Sequence, residues 1–283
     1  MTDPSQDFGG LRVVSFESRR AEAMRTLIRR HGGQALVAPS MREIPLQDQQ
    51  EAFQFAQRLF AHTIDVLILL TGVGTRTLIE ILESRYPKPK IVEALSNLTL
   101  VARGPKPIIA LGAVGLKPTL TVPEPNTWRD LLATLDAKLK LKGLCVAVQE
   151  YGVSNVELLD GLSSRGVEVI RVGVYRWALP EDIEPLRQAI QAVCHGQADV
   201  LLFTSAQQIE HVLQVARSIG VESNFQKATS QCVVASIGPI CSEALGQHGL
   251  AADVEPTHPH MGPLLSEAAK RSWTILKHKR DKA

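Results

Sequence analysis

Long apolar runs are missing from this chain. Stretches such as Val66 to Leu70 and Val200 to Phe203 fall far short of the roughly 20 residues that cross a bilayer, so no membrane span is expected. Cysteine is scarce as well. The four, Cys145, Cys194, Cys232 and Cys241, are spaced like neither paired zinc ligands nor a disulfide framework, and they read as thiols of a reducing compartment. Net charge is nearly absent: 31 Lys and Arg oppose 29 Asp and Glu, which excludes nucleic-acid binding as the default expectation. The opening residues, MTDPSQDFGG, have neither the basic stretch nor the apolar stretch of a secretory signal, so a cytoplasmic protein is expected.

What is present suits a folded protein. The 283 residues are 45% hydrophobic and 21% charged, enough for two α/β domains of ordinary size. The chain also repeats itself at an offset of 134 positions. Asp65-Val66-Leu67 returns as Asp199-Val200-Leu201, Gly104-Pro105 as Gly238-Pro239, and Ala110-Leu111-Gly112 as Ala244-Leu245-Gly246. Upstream, Met24, Ile28 and Gly32 match Leu158, Leu162 and Gly166, each set an apolar helical stripe closed by glycine.

Within each copy, short apolar strands alternate with amphipathic helices. That pattern predicts parallel sheets flanked by helices in two similar lobes. The Pro-containing segments Arg42 to Leu46 and Val174 to Pro180 occupy equivalent places and are expected to link the lobes. Their equivalence permits either two contiguous lobes or an exchange of the first strand, helix and strand into the C-terminal lobe.

Parallel sheets bind ligands beyond the carboxyl ends of their strands, where helix N-termini present backbone amides. Thr71, Gly72, Gly74 and Arg76, in TGVGTR, lie there and would accept an anion. The segment lacks the third glycine of GxGxxG and the lysine of a P-loop, so it is no nucleotide fingerprint. Gly72 and Gly74 are equally explained by a tight turn. Arg19, Arg20 and Arg103 fall at strand ends, as do Thr204, Ser205 and Ala206, and Gly238 and Pro239. Tyr175 lies in the second linker, where it would serve either a ligand or packing. His258 and His260 have no companion ligand cluster, so no metal is expected. Lys277 to Lys282 read as a solvated tail.

Taken together, the duplicated lobes, the DVLLFTS strand end, the SIGPICSEALGQHGL segment and the VGVYRWALPED linker resemble the uroporphyrinogen-III synthase family over about residues 11 to 275. The resemblance implies the exchanged arrangement, with residues 1–42 and 177–283 in one lobe and 43–176 in the other, joined by a two-stranded linker. It implies cyclisation of hydroxymethylbilane, a linear octacarboxylate, to uroporphyrinogen III with loss of water and inversion of the last pyrrole ring. It also implies no cofactor; with nearly balanced charge and no long apolar run, no nucleic-acid or membrane partner is expected, and a monomer is expected.

Tyr175 matches the family's linker tyrosine, the candidate acid, and Thr204 and Ser205 match its hydroxyl-bearing strand end. This chain departs from the family where Ile240 and Cys241 replace paired threonines and Glu17-Ser18-Arg19 replaces a Thr-Arg-Pro pattern. A non-catalytic two-lobed sensor for an anionic small molecule would share the same loops.

Overall fold

The structure is a computed structural model and describes residues 7–46, 49–150, 152 and 154–281. Most of the opening decapeptide and the terminal Lys282 therefore lie outside the described residues. Two compact units account for the fold, one combining the chain up to Arg42 with Ala178 onward, the other running from Glu43 to Trp177.

In the first unit, β1 (Arg12–Ser15), α1 (Ala21–Arg30) and β2 (Gln34–Val37) come from the start of the chain. The chain then enters the second unit through β3 (Arg42–Pro45). There follow α2 (Gln50–Phe60), β4 (Val66–Leu69), α3 (Gly72–Glu83), α4 (Lys88–Ser96), β5 (Thr99–Ala102) and α5 (Pro105–Gly112). The unit is completed by β6 (Leu120–Thr121), α6 (Trp128–Lys138), β7 (Cys145–Gln149), α7 (Val156–Ser163) and β8 (Glu168–Val172).

The return runs through β9 (Tyr175–Ala178), which pairs with β3 as a two-stranded sheet. The first unit is then finished by α8 (Glu184–Cys194), β10 (Val200–Phe203), α9 (Ala206–Ser218), α10 (Glu222–Thr229), β11 (Val233–Ser236), α11 (Pro239–Gln247) and α12 (Met261–Arg280).

The sheet of the second unit has the order β6-β5-β4-β7-β8, and that of the first β11-β10-β1-β2, with an isolated bridge from Ala235 to Val254 in the place of β6. All these pairings are parallel. β1 therefore pairs with β10, through Val13 opposite Val200, so the N-terminal segment packs into the C-terminal lobe.

The sheets explain the apolar strand sequences. Every residue of β4, β7, β10 and β11 is buried, because helices cover both faces. On one face of the first unit, Met24 and Ile28 of α1 meet Leu264, Leu265 and Leu276 of α12. On the other, Leu186, Ile190, Ile209, Val212 and Phe225 form the second layer, with Phe16 and Phe203 at 5.1 Å between ring centroids. The second unit is layered alike, with α2 to α5 on one face and α6 and α7 on the other.

The repeat has a physical counterpart in one hydrogen bond. Asp65 Oδ2 accepts the backbone N–H of Cys145 at 2.8 Å, and Asp199 Oδ2 accepts that of Arg12 at 2.9 Å. In each unit this aspartate, just ahead of a central strand, ties down the first amide of the neighbouring strand. Asp199 also receives Arg12 Nε at 2.9 Å and Arg280 Nη2 at 2.8 Å.

Several elements differ from the sequence reading. The helices α4 and α10 are additional, and α4 is masked in the sequence by Pro87 and Pro89. Both prolines fall at the helix start, where a missing N–H costs nothing. The linker segments, by contrast, form the two paired strands that the resemblance implies. Of the expected tail, Lys277 to Arg280 continue α12, where Lys279 Nζ bonds Asp253 Oδ2 at 2.6 Å. Among the described residues no helix is long and apolar enough to cross a membrane.

Candidate functional site

In the second unit, Thr71 follows β4 and caps α3: its Oγ1 accepts the N–H of Gly74 at 3.0 Å. Thr75 closes the turn from the other side, its N–H and hydroxyl both bonding to Thr71 O, at 2.9 and 2.7 Å. The cap uses Gly74 and the turn uses Thr75, so Gly72 and Val73 supply the amides that the helix itself does not consume.

Thr71 Oγ1 also lies 3.2 Å from the hydroxyl of Tyr175. Tyr175 opens β9 and is only 4% exposed, with its ring edge-on to Trp177 at 5.5 Å. It belongs to the core layer that includes Leu69, Leu78 and Val174, so packing holds the phenol while its oxygen meets Thr71.

The two glycines of TGVGTR are demanded by close approach. A Cβ on Gly72 would come within 2.6 Å of the Lys106 carbonyl oxygen, and one on Gly74 within 2.0 Å of Gln149 Nε2. Gln149, the last residue of β7 and fully buried, fills the space that Gly74 leaves; its Oε1 accepts the Thr71 N–H at 3.4 Å and its Nε2 donates to Glu150 O.

The first unit reaches a similar arrangement with the sizes exchanged. There the helix supplies the glutamine, Gln208, at the position equivalent to Gly74, and the strand supplies the small Ser15 at that of Gln149. Gln208 Oε1 accepts the Thr204 N–H at 2.8 Å. Each unit thus holds a buried amide against the amide nitrogen of a hydroxyl residue at the strand end.

Of the other expected site residues in the second unit, Arg76 is exposed on the first turn of α3. Arg103 is half-buried directly after β5, its N–H donating to Leu69 O at 3.1 Å. In the first unit, Thr204, Ser205 and Ala206 follow β10, Gly238 and Pro239 follow β11, and Arg19 follows β1. These three strands are neighbours in the sheet, so all six residues share its carboxyl edge. Ser205 is the residue before α9 and Pro239 the first of α11. Gly238 O accepts the Ser236 hydroxyl at 3.0 Å.

Glu17 and Gln208 bound the candidate loops Glu17 to Arg20 and Thr204 to Gln208, whereas Gln149 and Glu150 have no signal in the sequence. Glu17 Oε1 accepts the Arg20 N–H at 3.0 Å, and its Oε2 accepts the Thr204 hydroxyl. Glu150 is buried; its Oε2 accepts Arg171 Nε at 3.0 Å and Ser154 Oγ at 3.1 Å, while Oε1 accepts no hydrogen bond among the described residues. Single acidic and amide residues without a spaced motif carry no local signal of such partners.

Cys241 lies on the buried face of α11, and burial pushes its thiol up to about 11. Cys232 is pushed up to about 11 in the same way, which makes both poor nucleophiles near neutrality. Among the described residues no group of three His, Cys, Asp or Glu is placed to hold a metal ion, His258, His260 and Glu255 included.

Residues 22–266 match the family model described as uroporphyrinogen-III synthase HemD. A Bacillus subtilis (strain 168) protein named YjjA and described as uncharacterised is 27% identical over 263 residues, covering 92% of this chain and 96% of its own. A Methanothermobacter thermautotrophicus protein provisionally named as a uroporphyrinogen-III synthase is 29% identical over 234 residues, covering 83% and 87%.

Among solved structures, a mutant uroporphyrinogen III synthase of Thermus thermophilus superposes with a TM-score of 0.68 at 23% identity, covering 97% of this chain and all of that one. A wild-type crystal form of the Thermus protein gives 0.54 at 26% identity over 94% and 99% of the two chains.

Proposed function

Because this chain belongs to the uroporphyrinogen-III synthase family, we propose that it cyclises hydroxymethylbilane to uroporphyrinogen III, releasing water and inverting the last pyrrole ring. The observation that carries the reading is the part-buried contact between Tyr175 and Thr71. The reading takes the protein to be a cytoplasmic monomer that needs no cofactor.

The chemistry starts with loss of the hydroxyl from the first ring, which leaves an electron-poor azafulvene. The substituted carbon of the fourth ring attacks it to form a spiro intermediate, and cleavage and reclosure invert that ring. Unassisted closure gives the symmetric isomer. The protein's task is therefore to hold the chain in one reactive shape, with a weak acid at the leaving hydroxyl.

Tyr175 is that acid in our reading. Thr71 Oγ1 accepts the Gly74 N–H and has one proton of its own. Donated to the Tyr175 oxygen, that proton would support the oxygen as the phenol gives up its own. The burial of the ring fixes where the proton is delivered.

The eight carboxylates of the substrate call for donors. In the second unit these are the Gly72 and Val73 amides, with Arg76 and Arg103. In the first they are Arg19, the Thr204 and Ser205 hydroxyls, and the start of α11 after Gly238. Backbone amides and the helix dipole favour anions at such strand ends.

The decisive experiment supplies hydroxymethylbilane to the purified protein and resolves the uroporphyrinogen isomers after rapid oxidation. Isomer III in excess of the spontaneous isomer I supports the reading. A chain that binds the octacarboxylate yet leaves isomer I as the product is a binding protein.

A further inference from the structure

In the first unit, a carboxylate of the chain itself occupies donors that face the carboxyl edge of the sheet. Glu17 follows β1; its Oε1 accepts the N–H of Arg20, the residue that caps α1, at 3.0 Å, and its Oε2 accepts the Thr204 hydroxyl. That hydroxyl is aimed by its neighbours. Gln208 Nε2 donates to the Thr204 oxygen at 2.8 Å, and Gln208 Oε1 holds the Thr204 N–H at 2.8 Å, so the one hydroxyl proton is left for Glu17.

The loop bearing Glu17 is pinned in turn. Ser18 Oγ accepts the N–H groups of Ser40 and Met41, each at 3.1 Å, and the Ser40 hydroxyl donates to Phe16 O at 3.2 Å. Glu17 is thus a half-buried carboxylate on a fixed loop, held by a directed hydroxyl and by the first free amide of a helix. These two donors are of the kind, and in the place, that the reading above assigns to a carboxylate of the ligand.

We propose that Glu17 is a resident carboxylate that competes with an acidic group of the ligand for the Thr204 hydroxyl and the Arg20 amide, and so sets how tightly the first unit takes a polycarboxylate. The proposal rests on the reading that the ligand is a polycarboxylate. Exchange of one carboxylate for another on the same donors yields little net binding, so a monoacid cannot displace Glu17. A ligand with many carboxylates, anchored by its other groups, can. The residue therefore acts as a filter for charge number.

The test is titration calorimetry with uroporphyrin I, a stable octacarboxylate, on the full chain at one pH and salt concentration. Removing the competitor frees hydrogen-bond donors for a charged acceptor, so Glu17→Ala is expected to bind about tenfold tighter than the unaltered protein. Glu17→Gln, which keeps the acceptor and loses the charge, is expected to gain less. The gain should shrink when Thr204→Val is combined with Glu17→Ala, because only the Arg20 amide is then left to the ligand.

Unchanged or weaker binding by a folded Glu17→Ala protein overturns the proposal, as does a gain that Thr204→Val leaves undiminished. Should Glu17→Ala fail to fold, Glu17→Gln decides, and an affinity equal to that of the unaltered protein overturns it. The isomer assay is separate. A protein that shows the gain but makes no isomer III loses the proposed activity and keeps the competition; one that makes isomer III without any gain loses the competition alone.

Discussion

Tyr175 and Thr71 place their hydroxyl oxygens 3.2 Å apart, joining the first residue of a linker strand to the cap of α3 across 104 positions of sequence. Thr71 is committed on one side to the Gly74 amide, so the pair forms a short relay that ends on the helix.

Tyr175→Phe keeps the packed ring and removes the proton donor. In our reading turnover falls by about 10²–10⁴-fold, the usual contribution of a general acid, while the product that forms is still mainly isomer III. Single-turnover kinetics with isomer analysis checks both parts. An unaltered rate would make Tyr175 a packing residue and turn attention to Thr204 and Ser205.

Thr71→Val should lower turnover and also loosen α3, because the cap to Gly74 is lost; the stability cost is about 1 kcal/mol. Thr71→Ser retains both hydrogen bonds and should restore both properties. Denaturant titration beside the rate assay separates the two effects, and a Thr71→Val protein that is less stable but equally fast would confine Thr71 to capping.

Gly74→Ala forces a methyl group into Gln149 and should destabilise the second unit by about 1–3 kcal/mol, the typical range for overpacking. Adding Gln149→Ser, the residue type found at the matching place in the first unit, should recover most of the loss. Thermal unfolding of the single and double variants measures this. A double variant no more stable than Gly74→Ala would locate the strain elsewhere.

Acid sensitivity should centre on Asp199. Burial opposes its ionisation, but hydrogen bonds from the Arg12 side chain and backbone outweigh burial, with help from Arg280, and hold the carboxyl below the usual aspartate range. A carboxyl depressed in the folded state stabilises fully above its unfolded value, about 3.9, and that contribution is lost as pH falls through the folded value. Melting temperatures should therefore drop below about pH 4 less steeply in Asp199→Asn, which starts lower at neutral pH. Parallel acid profiles for the two proteins would show that Asp199 is not the group responsible.

If the proposed cations of each unit take carboxylates, binding of uroporphyrin I should weaken as salt rises, since several charges on a ligand of high charge are screened together. Calorimetry at low and high ionic strength reads the slope. An affinity indifferent to salt would leave Arg19, Arg76 and Arg103 without a role in our reading.

The fold was legible in the sequence because its signals are local or periodic. Buried parallel strands read as continuous apolar runs, helices as stripes, and the duplication as a fixed offset that Asp65 and Asp199 turn into the same bond. Prolines account for one of the two missed helices: those around Lys88 suggest a break, yet they sit at the start of α4, whereas α10 has no proline.

The edges of the sheets were visible as places where hydroxyls and glycines gather after strands. Their internal partners were not. That Gly74 is small because Gln149 arrives from β7, and that Gln208 and Ser15 trade those sizes in the other unit, depends on contacts between elements far apart in sequence. The same holds for Glu17 on Thr204, 187 positions away, and for the phenol of Tyr175 on Thr71. Periodicity specifies which face of an element is buried, and therefore the architecture. Which polar atoms meet at the ends of those elements is set by strand order and helix placement, and only the assembled sheets decide it.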